Sequence, residues 1–346
     1  MKVDYIVVGC GLAGINFCEK LFETEKSFIV FDDKTQHSSV VAGGLYNPVV
    51  LKRFTLVWKS KEQLVLASSV YEALEDKLGI ELDFKLPVRR LFHSTEEQNN
   101  WFVASDKIEL SEYLSTNLLK NDNPSINAPF GFGEVLSTGR IDTSKLITEY
   151  KRYLMNSGLL NEESFDYESL KVEQDAIQYK NVSSEHIVFA EGFGLKKNPF
   201  FNHLPLNGTK GELLTIYAPE LNIDYVLKSS AFLIPYGNNH YKVGATYEWT
   251  DKSNYPTEQG KEELLTKLKT IINCPFEVVD HTAGIRPTVI DRKPLVGTHS
   301  LYNRLHILNG LGTRGVMIGP YVAKALFEAI EKSKPLDQEI NISRFL

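Results

Sequence analysis

Apolar positions along this chain switch between two periods. Asp4–Val8 holds the unbroken run YIVV, the pattern of a strand covered on both faces. Ile15, Cys18, Leu21 and Phe22 then recur at helical spacing before Ser27–Phe31 returns to a solid apolar run, so strand, helix and strand are predicted in succession. Lys59–Lys77 is predicted as an amphipathic helix, whereas Phe84–Phe92 and Trp101–Val103 alternate like antiparallel strands. Thr143–Leu154 reads as a helix capped by Thr143 or Ser144, and His186–Ala190 as a short buried strand. Between Glu212 and Thr246 the runs LLTIY, AFLIPY and YKVGAT are broken by Pro235 and by Gly237-Asn238-Asn239, which predicts a hairpin-rich antiparallel block. Glu258–Ile272 and roughly Pro320–Lys332 complete the helices, the last with Val322, Ala325, Leu326 and Ala329 on one face. The interleaving predicts an α/β chain. A parallel-sheet domain is assembled from residues 1–80, 138–200 and 278–346, and an antiparallel β-sheet plus helix domain is inserted as residues 81–137 and 201–277.

A chain of 346 residues can bury two joined cores, and its formal charge of -6 argues against a broad nucleic-acid footprint. Cys10, Cys18 and Cys274 lack zinc spacing, and the eight histidines show no ligand pattern, so no metal site is predicted. The absence of an 18-residue apolar run and of a basic leader predicts a cytoplasmic protein without a membrane span.

Glycines carry the chemistry. Gly9, Gly11 and Gly14 give G-x-G-x-x-G directly between the first strand and first helix, the Rossmann-like arrangement in which backbone amides and a helix N-terminus receive a diphosphate. Asp32, at the end of the second strand, stands where a carboxylate accepts ribose hydroxyls, with Asp33 beside it. NAD and FAD share this device, so it does not choose between them. Further on, Ser38 and Ser39 offer hydroxyls for phosphate oxygens, and Gly43-Gly44 would let a flat ring approach the main chain. In GIRPTVIDRKPLVG, Arg286 is pinned between an isoleucine and a proline; it suits either a two-pronged carboxylate grip or an internal ion pair with Asp280 or Asp291. Gly310, Gly312 and Gly315 precede a helix starting near Val316, a second N-terminus able to stabilise negative charge, with Arg314 as reinforcement or as a solvated cation.

Together these motifs resemble the D-amino acid oxidase superfamily of FAD enzymes, nearest in pattern to its glycine oxidase and tRNA wobble-uridine branches. The likeness also takes in SVVAGGL, HIVFAEGFG, LNGTKGE and FLIPYGNNHYKVGAT, in order, over nearly the whole chain. It implies a glutathione-reductase-like FAD-binding domain. Leu12, Ala13, Asp32, Asp33, Ser38, Ser39, Ala42, Gly43 and Gly44 would line the cofactor, with Leu170 near the adenine and Gly192 in the Ala190-Glu191-Gly192 turn. Leu311, Gly312, Thr313, Arg314, Gly315, Val316 and Met317 would wrap the flavin's pyrimidine side, and Arg286 would hold a substrate carboxylate. Tyr46 is expected to reach substrate from the flavin loop. Phe232 falls where the glycine oxidase branch has a substrate-contacting tyrosine, and Glu191 replaces a threonine or serine. No residue matches the covalent flavin anchors, so non-covalent FAD is expected.

The activity implied is oxidation of the CH–N bond of a small carboxylate-bearing amine by hydride transfer to flavin N5, with O2 or another acceptor and subsequent imine hydrolysis. Carboxymethylaminomethyl-uridine in tRNA is the alternative substrate, against which the acidic charge balance weighs. A flavin-binding module without turnover is the third reading; it has no use for Arg286.

Overall fold

The computed structural model describes residues 1–173 and 175–345. Strand Lys2–Val8 lies at the centre of a largely parallel sheet, with Phe28–Phe31 on one side and Val182–Phe189 on the other; Tyr5 pairs in register with Phe28 and His186. Alternation along the strand explains its unbroken hydrophobicity. Tyr5 and Val7 join one core with Ile15, Phe17, Tyr71, Tyr150, Val322 and Leu326 of the covering helices, while Ile6 and Val8 join a second core with Ile29, Phe189, Phe201 and Leu305. Val182–Phe189 forks: its first half pairs antiparallel with Ile177–Tyr179 and its second half parallel with Leu305–Asn309.

A second sheet runs Glu277–Arg286, Thr209–Tyr217, His240–Gly244, Phe232–Pro235, Val226–Lys228, Val88–Leu91, Phe132–Val135 and Leu114–Leu119 in spatial order. All neighbours are antiparallel except Val226–Lys228 with Val88–Leu91. One face packs Leu214, Ile216, Leu227, Leu233 and Val243 against Leu264 and Leu268 of helix Glu258–Lys269. The other face turns toward the first sheet's loops: a Cβ on Gly284 would lie 3.2 Å from Ser38 Cα, and one on Gly43 would lie 2.7 Å from Ile234 Cδ1. A short third sheet, Leu45–Tyr46, Gly139–Ile141 and Asp83–Phe84, sits at the junction.

Several local expectations are corrected. Trp101–Val103 lies within helix Thr95–Ser105, not in a strand. Ser94 Oγ accepts from the Glu97 amide at 3.2 Å and Glu97 Oε2 accepts from the His93 amide at 3.2 Å, a reciprocal cap that starts the helix. Trp101 is buried against Phe92, and its indole N–H donates to the Ser115 carbonyl at 2.8 Å. Helix Thr143–Asn156 is capped by Asp142, whose Oδ1 accepts from the Lys145 amide, rather than by Thr143 or Ser144. Helix Glu258–Lys269 stops short of Ile272; the last helix begins at Gly315, five residues before Pro320 and one residue from the start expected near Val316. Glu277–Arg286 is one strand paired with Thr209–Tyr217, so the antiparallel sheet runs on past residue 278 to Arg286 itself. Among the described residues no helix is long and apolar enough to cross a membrane.

Candidate active site

The loop after the first strand is shaped by close approach. Gly9 stands at φ +101°, and a Cβ there would run into the Ala190 carbonyl. A Cβ on Gly14 would run into the Gly9 carbonyl, so helix Leu12–Glu23 sits tight against the strand end. That helix has neither a side-chain cap nor an acidic residue in its first turn. Its Leu12 amide donates instead to Ser39 Oγ at 3.2 Å, so a hydroxyl from the second loop stands at the amides where an anion would bind. Ala13 is buried behind it.

Asp32 faces the same loop. Its Oδ2 accepts from the Cys10 amide at 2.7 Å, and its Oδ1 accepts from the Lys34 amide at 2.9 Å and from Lys151 Nζ at 2.6 Å. Asp33 turns aside, accepting from Thr35 and, at 2.7 Å, from Ser164 Oγ. The chain passes from Ser164 by way of Tyr167, which donates to Glu191, to Leu170, which opens strand Leu170–Val172 and packs partly buried beside the second core. Burial pushes the Cys10 thiol up to about 12, which makes it inert.

Ser38–Val41 form one helical turn, Ala42 accepts from Thr143 Oγ1 at 3.2 Å, and the Gly44 carbonyl accepts from the Ile141 amide at 2.9 Å. These bonds tie the second glycine loop to the helix Thr143–Asn156 side of the junction. The hydroxyl of Tyr46, expected to reach substrate, donates to Asp83 Oδ1 at 2.8 Å within the third sheet.

At the C-terminal end, Asn309 Nδ2 donates to the Gly192 carbonyl at 3.0 Å, and Asn309 Oδ1 accepts from the Gly310 amide at 2.7 Å. The Gly312 amide donates to the Pro287 carbonyl at 3.2 Å, which fastens this loop directly behind Arg286. Leu311, Gly312 and Arg314 are half-buried, Thr313 is exposed, and Gly315, Val316 and Met317 are buried in the helix start. Gly315 lies against Leu12 and Gly319 against Asn16, so the first and last helices run side by side with their N-termini adjacent. Neither end has a side-chain cap.

The Arg286 guanidinium forms no ion pair among the described residues. Its Nη1 donates to the Thr246 carbonyl at 3.2 Å, its group lies against Gly211, and its Cζ sits 4.7 Å from the Tyr247 ring centre. The two acids weighed as partners are elsewhere: Asp291 bonds Arg344, and Asp280 accepts from the His281 amide. Burial holds the pKa of both Arg286 and Arg314 below the usual arginine range, and the Tyr247 phenol acts the other way on each. Phe232 pairs with Gly244 and Lys228 on the same sheet, and Lys228 Nζ lies 4.3 Å from its ring centre. Burial pushes the Lys228 ammonium down to about 8.

Four participants lay outside the sequence-based reading. Lys151 and Tyr247 carry no local signal, since each is one polar residue in an ordinary stretch. Gly211 sits in LNGTKGE without a turn to mark it. Glu191 shows in the sequence only as a substitution; it is 8% exposed, with Tyr167 and Asn198 as donors. Among the described residues no cluster of His, Cys, Asp and Glu could hold a metal ion, and all three cysteines are buried and unpaired.

Glycine close contacts beside an acid-bearing strand end, two adjacent uncapped helix N-termini and a guanidinium lacking an acid fit an extended dinucleotide, and the class so defined is an FAD-binding oxidoreductase. Residues 4–329 match the family DAO, FAD dependent oxidoreductase, and the chain belongs to that family. It is 27% identical over 366 residues to "Glycine oxidase" of Bacillus subtilis (strain 168), covering 98% of this chain and 96% of that one. It is 24% identical over 392 residues to "tRNA 5-methylaminomethyl-2-thiouridine biosynthesis bifunctional protein MnmC" of Legionella pneumophila, covering 99% of this chain but 57% of that one. In three dimensions it superposes on glycine oxidase from Geobacillus kaustophilus with TM-score 0.79 at 18% identity, covering 99% and 98% of the two chains.

Proposed function

We propose that this FAD-dependent oxidoreductase oxidises the CH–N bond of a small amine, primary or secondary, that carries a carboxylate. One observation carries the reading: a half-buried guanidinium, Arg286, has no acid partner among the described residues and is fastened through Pro287 to the Gly310–Gly315 loop. A desolvated cation of this kind needs an anion from outside. Non-covalently bound FAD supplies a two-electron acceptor at N5. Gly9, Gly11, Leu12, Ala13 and Gly14 would hold the diphosphate with Ser38 and Ser39, while Asp32, with Asp33, Leu170 and Gly192, would hold the adenosine end. Ala42, Gly43, Gly44 and the Leu311–Met317 stretch would face the flavin end.

Arg286 grips the carboxylate and so orients the neighbouring C–H, while Phe232 closes the pocket with an apolar ring. The C–H bond breaks with its electron pair leaving as hydride, the nitrogen lone pair forms C=N, and the proton on nitrogen goes to water. Water then adds to the imine and releases a carbonyl product with ammonia from a primary amine or an amine from a secondary one. None of these steps requires a catalytic base from the chain. O2 or another acceptor takes the two electrons.

The test is anaerobic titration of the yellow holoprotein with glycine, D-amino acids, N-methyl amino acids and iminodiacetate. Bleaching of the flavin by at least one carboxylate-bearing amine is expected, and none by the corresponding amines without a carboxylate. Bleaching by no member of the panel would sink the reading. Modified tRNA is the second substrate to try, because the likeness to MnmC spans 99% of the chain and Tyr247, Trp249 and Tyr255 are exposed along the stretch leading from Arg286. A steep salt dependence of bleaching would mark that substrate.

A further inference from the structure

Tyr247 is the aromatic residue seated on the Arg286 guanidinium. Its backbone is held on both sides. The Thr246 carbonyl accepts from Arg286 Nη1 at 3.2 Å and Thr246 Oγ1 accepts from the Glu212 amide at 2.9 Å, while Glu248 and Lys210 exchange both backbone hydrogen bonds, at 3.0 and 2.9 Å. A residue clamped between such neighbours has its side-chain direction set, and that direction places the ring centre 4.7 Å from Arg286 Cζ. The residue is nevertheless 61% exposed, and among the described residues its hydroxyl makes no hydrogen bond. Other phenols around the junction are committed: Tyr46 to Asp83, Tyr236 to Asp142, and Tyr71 to the Val316 carbonyl. Among the described residues, a phenol without a hydrogen-bond partner thus stands 4.7 Å from Arg286, which has no acid partner, and Arg314, whose charge that phenol also favours, has none either.

A carboxylate offers about four lone-pair sites, of which a guanidinium fork uses two. We propose that Tyr247 binds the substrate, donating its phenolic hydrogen to the carboxylate that Arg286 grips and covering that carboxylate with its ring. The inference rests on the reading of Arg286 given above. It also narrows the substrate class, because a side chain in this place covers the carboxylate end and leaves the amine end toward the flavin loops. Bulk is therefore tolerated on nitrogen better than beside the carboxylate.

The experiment uses FAD-loaded protein and acetate as the probe, followed by perturbation of the flavin visible spectrum and by the shift in Tm. Tyr247→Phe keeps the ring and is expected to raise the Kd of acetate about tenfold or more, as for loss of a hydrogen bond to a charged group. KM for an N-methyl amino acid substrate should rise with it while kcat changes little, and the ligand-free flavin spectrum should stay the same. Tyr247→Leu, which also removes the cover, should weaken acetate further. An acetate Kd in Tyr247→Phe within twofold of the parent, measured alongside an Arg286→Ala variant that has lost acetate binding, overturns the role of Tyr247 and leaves Arg286 standing. Unchanged acetate binding in Arg286→Ala would instead overturn the reading of Arg286.

Discussion

The Arg286 guanidinium lies across the Cα of Gly211, filling the space that a side chain at position 211 would occupy. Gly211 pairs directly with Gly284 on the neighbouring strand, so two facing glycines make a flat shelf. The arginine folds back along this shelf from the end of its strand instead of extending into solvent.

Gly211→Ala is therefore expected to displace the guanidinium without disturbing the strand, since the obstructed atoms are the far end of a flexible side chain and no positive φ is involved at this position. Thermal melting should shift by only a few degrees. Carboxylate affinity should fall by about tenfold or more. Parent-like acetate binding in this variant would show that the shelf does not set the arginine's position.

Removing the arginine itself should cost more. Arg286→Ala is expected to lower kcat/KM for the carboxylate-bearing amine by about 10²- to 10³-fold, the usual penalty for truncating one partner of a desolvated charge pair. FAD content should be unchanged, because the cofactor loops bond through their own backbone. Arg286→Lys should recover only part of the loss, since an ammonium lacks the planar fork.

Asp32 joins the Cys10 amide to Lys151, and so links the Gly9–Gly14 loop to helix Thr143–Asn156. Asp32→Ala should weaken FAD retention about tenfold or more, measured as the flavin-to-protein absorbance ratio after dialysis. Lys151→Met should lower retention less, because Asp32 keeps its amide donors. Full occupancy in Asp32→Ala would remove this carboxylate from the cofactor site.

Glu191 gives the protein a pH dependence of stability. Burial pushes its carboxyl from 4.5 to about 7, against the opposing pull of its Asn198 and Tyr167 hydrogen bonds, and Asp33 adds a small upward push. Folding thus favours the protonated acid. That contribution is fully present below about pH 4.5 and is lost as pH rises through about 7, a change of roughly 3 kcal/mol. Glu191→Gln should flatten the Tm profile between pH 5 and 8 and raise Tm at pH 8. An unchanged slope would show that the acid is ionised throughout.

Strand, glycine loop, helix, strand and Asp32 follow one another within a single βαβ unit, where period, turn glycines and the closing acid are all local, so this part of the fold was legible residue by residue. The same holds for the glycines at 310, 312 and 315 and for Arg286 beside its proline. Trp101 was misread because three apolar residues fit either period, and the deciding cap, Ser94 with Glu97, lies upstream of them. The bond from Tyr46 to Asp83 was not legible, because the partner lies 37 residues away.

What no stretch of chain could reveal was pairing at long range. Lys151 on Asp32, Gly211 beneath Arg286 and Tyr247 over it join residues separated by 119, 75 and 39 positions. Apolar periodicity sets which face of an element is buried, but the energy that selects a partner for that face comes from packing and strand register across the assembled sheets. The kinds of residue needed for the chemistry were thus written locally, while their meeting point came into being only when Glu277–Arg286 took its place beside Thr209–Tyr217.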